Sequence, residues 1–208
     1  VATPREPIIM FSDYACPWCY LGRARLARAL AEQPRPVTVV PFPLSPDTPA
    51  GGRDLAAYLR SKGIDVRAAM ARLVPLMQAE GLEYPSEVEG RRQYATARAQ
   101  ELALWTAEHA PERLDALHDR LFRAYQVENL DIGDLDVLAR LAGELGLAAA
   151  DARAALERGE HARAREEAWR MARQAGVTGV PTFVLGGRGV VGAQPVELLR
   201  QWIASESE

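Results

Sequence analysis

The apolar positions change their spacing several times along the chain, and each change marks an element. Ile8-Ile9-Met10-Phe11 is a continuous apolar run of strand length. Over residues 17–31, Leu21, Leu26 and Leu30 recur at near-helical spacing among Arg and Ala, which predicts an amphipathic helix ended by Gln33-Pro34-Arg35-Pro36. Val37-Thr38-Val39-Val40-Pro41-Phe42 then supplies a second, β-branched strand. Strand, helix and strand within about 35 residues is the size of a right-handed βαβ unit.

Residues 43–52 hold three prolines and two glycines and read as a loop. From 55 to 156 the spacing is helical almost throughout, with breaks expected near Gly63, Pro75, 81–85, Pro111, 129–133 and Gly146. Leu102, Trp105, Leu114, Leu117, Leu121 and Phe122 would give that block its apolar face. Gly133-Asp134-Leu135-Asp136 and Ala150-Asp151 look like helix starts. Residues 159–174 predict one more helix, anchored by Trp169 and Met171 and stopped at Gly176. Val177-Thr178-Gly179-Val180-Pro181 is a turn into the strand Thr182-Phe183-Val184-Leu185. Gly186-Gly187-Arg188-Gly189 is a hairpin turn, and Val190-Val191-Gly192 the return strand. Pro195 opens a last helix, residues 196–203, with Leu198, Leu199 and Trp202 inward. The order βαβ, helical block, αββα predicts an α/β fold whose sheet is completed by distant pieces of chain. Residues 1–52 and 157–208 form the α/β part, and 53–156 a helical insertion.

Composition narrows the function. A chain of 208 residues with 48% hydrophobic and 25% charged residues can build a sizeable core. The net charge of -3 argues against nucleic acid as a partner. The positive charge is nearly all Arg, with Lys62 the only lysine, so no lysine stands beside the cysteines to take a proton. No hydrophobic run approaches the roughly 20 residues of a membrane span, and residues 1–7 lack the apolar core of a secretory signal. A bacterial cytoplasmic location is the expectation, with periplasmic or secreted ones left open because the N-terminus can have been trimmed.

Cys16 and Cys19 are the whole cysteine supply. A disulfide scaffold would spread more of them along the chain. A zinc site would need two further ligands, and His109, His118 and His161 are far off in sequence, each expected on a helix surface. No metal site is predicted. Glu101, Glu108 and Glu112 read as solvated helix faces.

The pair itself, Cys16-Pro17-Trp18-Cys19, falls where the first strand gives way to the first helix. Residues i and i+3 share a helix face with Cβ atoms about 5–6 Å apart, close enough for a disulfide. At the helix start, unpaired N–H groups and the helix dipole favour a thiolate, the nucleophilic form. Pro17 suits a first turn, where its missing N–H costs nothing. This makes Cys16 the attacking thiol and Cys19, a turn deeper, the resolving one. Two buried cysteines at this spacing by chance, or half of a zinc site shared across a dimer, are the competing readings. Val180-Pro181, just before a strand, would by itself be an ordinary trans proline at a strand start; beside a redox pair that reading reverses.

Both motifs together resemble the DsbA family, and more closely its FrnE-like branch. The matching residues are 11–22, from Phe11-Ser12-Asp13-Tyr14-Ala15 through the cysteine pair to Tyr20-Leu21-Gly22, and 176–184 followed by Gly192-Ala193-Gln194-Pro195. The resemblance implies a thioredoxin fold with a large all-helical insertion, Cys16 as nucleophile, Cys19 as resolving cysteine, and a cis bond between Val180 and Pro181 beside them. It also implies that the Val180 backbone pairs with an extended substrate. Pro17 and Trp18 would tune the pair, and Trp18, uncharged where a strongly oxidising relative has His, implies an intermediate potential. Expected chemistry is dithiol–disulfide exchange with cysteine-containing proteins or small disulfides such as glutathione, restored by a redox recycling partner. No cofactor beyond the Cys16–Cys19 disulfide is expected. The alternatives are a glutathione-dependent isomerase or transferase of the kappa-class or 2-hydroxychromene-2-carboxylate isomerase type, and a non-catalytic binding module. Ala95-Thr96-Ala97-Arg98 lacks the Asn and His of those enzymes' middle helix.

Overall fold

A computed structural model describes residues 5–205. It divides into two compact units, Val1–Leu44 with Ala168–Glu208, and Ser45–Glu167. The sequence placed the junctions at 52/53 and 156/157.

The first unit is built on a four-stranded sheet in the order β2-β1-β5-β6. Strand β1 (Ile8–Ser12) runs parallel to β2 (Val37–Pro41), in register from Ile8↔Val37 to Ser12↔Pro41. On its other side it pairs antiparallel with β5 (Thr182–Leu185), with Met10 opposite Phe183. Strand β6 (Arg188–Val191) closes the edge through a two-residue turn. Gly186 and Gly187 both have positive φ, 58° and 78°, as a hairpin turn matched to strand twist requires. The predicted turn of four residues is therefore shorter, because β6 begins at Arg188.

Side chains alternate across β1. Ile8 and Met10 are fully buried on the face where helix α1 (Pro17–Ala29) packs, itself in contact with the C-terminal helix α9 (Val196–Ser205). Leu21 and Leu26 of α1 are buried with them, each contributing about 1.5–3 kcal/mol by leaving water. On the opposite face Ile9 and Phe11 pack with Val40, Phe42, Val177, Val180 and Val184 around Ala172. Ala172 belongs to α8 (Ala162–Gln174), so the anchor of that helix is Ala172 and not Met171, which is 57% exposed. In α9, Leu199 and Ile203 are buried while Leu198 points outward, half exposed. Both corrections have one cause: periodicity names a face, but contact with another element picks which residues of it are covered.

The second unit contains α2 (Leu55–Ser61), α3 (Val66–Ala79), α4 (Ala97–His109), α5 (Leu114–Gln126), α6 (Leu135–Glu144) and α7 (Ala149–Arg158). Asp54, Asp65 and Asp134 cap three of them, accepting from Ala57, Ala68 and both Asp136 and Val137, each cap worth about 1 kcal/mol. Helix α4 packs against α5, α6 and α7, burying Leu102, Trp105, Leu117, Leu121, Leu138 and Leu141. Pro75 lies inside α3 without ending it, since the flanking Leu73 and Met77 are buried and hold the turn. The sequence also hid a short antiparallel ribbon, β3 (Arg53–Asp54) with β4 (Arg92–Gln93). His118 is 3% exposed in α5, and Glu101 is 4% exposed in α4; neither lies on the surface expected of it. Arg165 pairs with Glu101, whose carboxyl is pushed up by burial and drawn back by Arg165.

Candidate functional site

The two cysteines and residues 180–181, which the sequence could associate only through resemblance, meet in the first unit. After β1 the chain turns at Asp13: its carboxylate accepts the N–H of Ala15 at 3.0 Å and that of Leu44 at 2.9 Å, and its carbonyl accepts the N–H of Cys16 at 3.0 Å. These bonds set Cys16 as the N-cap of α1, in extended conformation with φ -89° and ψ 111°, and Pro17 occupies the first turn. The N–H of Cys19 then bonds the Cys16 carbonyl at 3.0 Å, one turn along. Both cysteines are free thiols; Cys16 is 5% exposed and Cys19 fully buried. Pro17 and Trp18 between them are half-buried.

The Cys16 sulfur makes no capping bond with the first turn of α1. Its thiol donates instead to the carbonyl of Val180, at 3.5 Å and 164 residues away in sequence. In the dithiol form the proton is thus held toward Val180. The Val180–Pro181 peptide bond is cis. Residues around it are fixed on both sides: the Thr182 hydroxyl donates to the Gly179 carbonyl at 2.7 Å, and the Gly192 N–H to the Pro181 carbonyl at 2.8 Å. Arg25, buried in α1, donates to the Ala193 carbonyl at 2.7 Å and ties the 192–195 loop to the helix that carries the cysteines.

Burial pushes the Cys19 thiol well up, and its hydrogen bond with Cys16 and the charge Cys16 would carry add to this. The Asp13 N–H and the Ser12 hydroxyl work the other way, favouring the thiolate. At neutral pH Cys19 therefore holds its proton.

Gly22 is a site residue that helical periodicity passes over. A Cβ built on it would come within 2.9 Å of Pro181 Cγ and 3.2 Å of Phe183 Cζ, so the helix lies directly on Pro181. The available signal was the glycine itself, a poor helix former in the middle of a helix. Asp13 and Ser12 also escaped, although a polar pair between an apolar strand and a cysteine is legible as a turn. Among the described residues no cluster of three or more His, Cys, Asp or Glu could hold a metal ion. No described helix is long and apolar enough to cross a membrane.

Comparison with known proteins identifies the family. The family model for the DSBA-like thioredoxin domain matches residues 7–204. The uncharacterized protein YwbO of Bacillus subtilis is 25% identical over 218 residues, covering 97% of both chains. A probable DsbA oxidoreductase from Streptomyces coelicolor, of solved structure, matches with a TM-score of 0.88 at 32% identity, covering 97% of this chain and 89% of its own. The cytosolic disulfide reductase DsbM from Pseudomonas aeruginosa shares the fold, with a TM-score of 0.70 at 24% identity over 97% of this chain and 98% of its own. With a cysteine pair at the strand–helix junction and a match running nearly end to end, the chain belongs to the DsbA-like thioredoxin domain family.

Proposed function

We propose that the protein is a thiol–disulfide oxidoreductase in which Cys16 and Cys19 exchange with the disulfides of cysteine-containing proteins or of small molecules such as glutathione. The observation that carries this reading is the Cys16 thiol at the start of α1, with Cys19 one turn behind it and the Val180 carbonyl 3.5 Å in front.

In the reducing direction, Cys16 loses its proton and attacks one sulfur of a substrate disulfide, RS–SR′. The S–S bond breaks, R′S⁻ leaves and takes up a proton, and RS stays bound to Cys16. Cys19 then gives up its proton and attacks the Cys16 sulfur, so that RS⁻ leaves and is protonated. The products are RSH, R′SH and the Cys16–Cys19 disulfide; two electrons have moved from protein to substrate. Every step reverses for oxidation. A second thiol or disulfide pair restores the starting form, and no metal or organic cofactor takes part.

The helix N-terminus favours negative charge at the Cys16 position. Once the proton is gone, the Val180 carbonyl loses its donor and becomes free to accept an N–H from an extended substrate chain, the manner in which strands are added to exposed backbone. Pro181 presents no N–H that would compete there. Trp18 adds no charge beside the pair, which supports an intermediate potential. A glutathione-dependent isomerase would leave Cys19 without a part, whereas here its sulfur hydrogen-bonds with Cys16.

Insulin reduction and mixed-disulfide trapping test the proposal. Cys19→Ser should accumulate mixed disulfides through Cys16, released by dithiothreitol; Cys16→Ser should accumulate none. A wild-type protein that neither reduces insulin nor equilibrates with glutathione would sink it.

A further inference from the structure

The last residue of β1, Ser12, is 4% exposed, and its hydroxyl has no hydrogen-bond partner in the dithiol protein. An unpaired buried hydroxyl costs about 1–3 kcal/mol, so its retention asks for a state in which it is paired. Strand alternation places Ser12 on the face of Ile8 and Met10, beneath α1. On this face α1 lies against Pro181 and Phe183 through Gly22 and buries Cys19 one turn from its start. We propose that the Ser12 hydroxyl is a hydrogen-bond donor held in reserve for the Cys19 sulfur at the moment that sulfur carries negative charge. The inference rests on the oxidoreductase reading above.

The charged moment occurs once in each direction. When a substrate thiolate attacks Cys16 of the disulfide form, the Cys16–Cys19 bond breaks and Cys19 leaves as a thiolate before taking up a proton. When Cys19 resolves a mixed disulfide, it passes through the same thiolate on its way to bonding with Cys16. A buried thiolate is costly, because burial pushes this thiol up. The Asp13 N–H at the turn supplies one fixed donor and Ser12 the second. Aimed at a charge that exists only during the exchange, such donors lower the barrier without stabilising either end state. At neutral pH Cys19 is a thiol in one end state and a disulfide sulfur in the other, so the equilibrium position should not depend on Ser12.

The test is Ser12→Ala, followed by rapid mixing of the oxidised protein with reduced glutathione and of the reduced protein with oxidised glutathione at neutral pH. Both rates should fall together by about tenfold, as expected for losing a hydrogen bond to a charged group. The equilibrium ratio with glutathione should stay at the wild-type value, and the reduced variant should melt no lower than wild type. Ser12→Thr, which keeps the hydroxyl, should recover most of the rate. A folded Ser12→Ala protein with wild-type rates would overturn the inference. So would a loss of rate accompanied by a shifted equilibrium, or a reduced form that is destabilised or unfolded, since each points to a structural serine. A wild-type protein with no exchange at all would instead remove the oxidoreductase reading on which the inference stands.

Discussion

Replacing Gly22 with Ala sets two effects of opposite sign against each other, and the structure decides between them. Helix propensity alone favours alanine by about 0.8–1.0 kcal/mol in a helix interior, and Gly22 lies within α1 with an ordinary helical backbone. Against this, the new methyl would stand 2.9 Å from Pro181 Cγ and 3.2 Å from Phe183 Cζ. Non-bonded carbons rest at about 3.5–4.0 Å, so the helix and Pro181 must separate by roughly half an ångström to one ångström. Neither neighbour yields easily. Pro181 is a ring between two fixed hydrogen-bonded turns, and Phe183 is fully buried. Overpacking of this kind costs about 1–3 kcal/mol. The net effect should be destabilising by about 1 kcal/mol, which lowers Tm by roughly 2–4 °C in a chain of this size. The separation also carries the Val180 carbonyl away from Cys16, so insulin reduction should slow along with it. Thermal melts of the reduced proteins and the insulin assay read the two consequences. A Gly22→Ala protein that melts higher than wild type, as propensity alone demands, would refute the close approach of α1 to Pro181.

Further outcomes follow from burial and exposure. Iodoacetamide at neutral pH should modify Cys16 and spare Cys19 in the native reduced protein, as peptide mass spectrometry would show; equal labelling would contradict the placement of Cys19. Because burial makes Cys19 hold its proton more tightly when folded than when unfolded, stability from this group is complete below the ordinary thiol range, near 8.5. It is lost as pH rises above that range; denaturant titrations of the reduced protein at neutral and alkaline pH should show the loss, and Cys19→Ala should diminish it. Glu101→Ala removes the buried carboxylate partner of the largely buried Arg165, and should cost about 3 kcal/mol, visible in thermal melts without a matching loss in small-disulfide exchange. His109→Ala should leave that exchange unchanged, whereas His118→Ala, in the core of α5, should lower Tm.

Local chemistry made the centre of the molecule readable. The apolar run at Ile8, the helical spacing after Pro17 and the proline at the first turn are short-range features, and they alone place Cys16 at a strand-to-helix junction. The hairpin was readable for the same reason, since Gly186 and Gly187 are the residues that tolerate positive φ. The helical block was visible as a block, though the two-residue strands β3 and β4 are too short to show any period.

What the chain order could not express is which distant residue covers which face. Met171 and Leu198 lie on apolar stripes but face outward, while Glu101 and His118, polar by type, are enclosed by neighbouring helices. The bond from Cys16 to Val180 spans 164 residues and exists because β5 returns beside β1. The same pairing brings Pro181 against Gly22. The sequence by itself determined the position of the cysteine pair and the elements that carry it, because backbone preference and periodicity act over a few residues. Tertiary structure alone decided the surroundings of the pair, because burial and hydrogen-bond partnership depend on packing between segments that share no local signal.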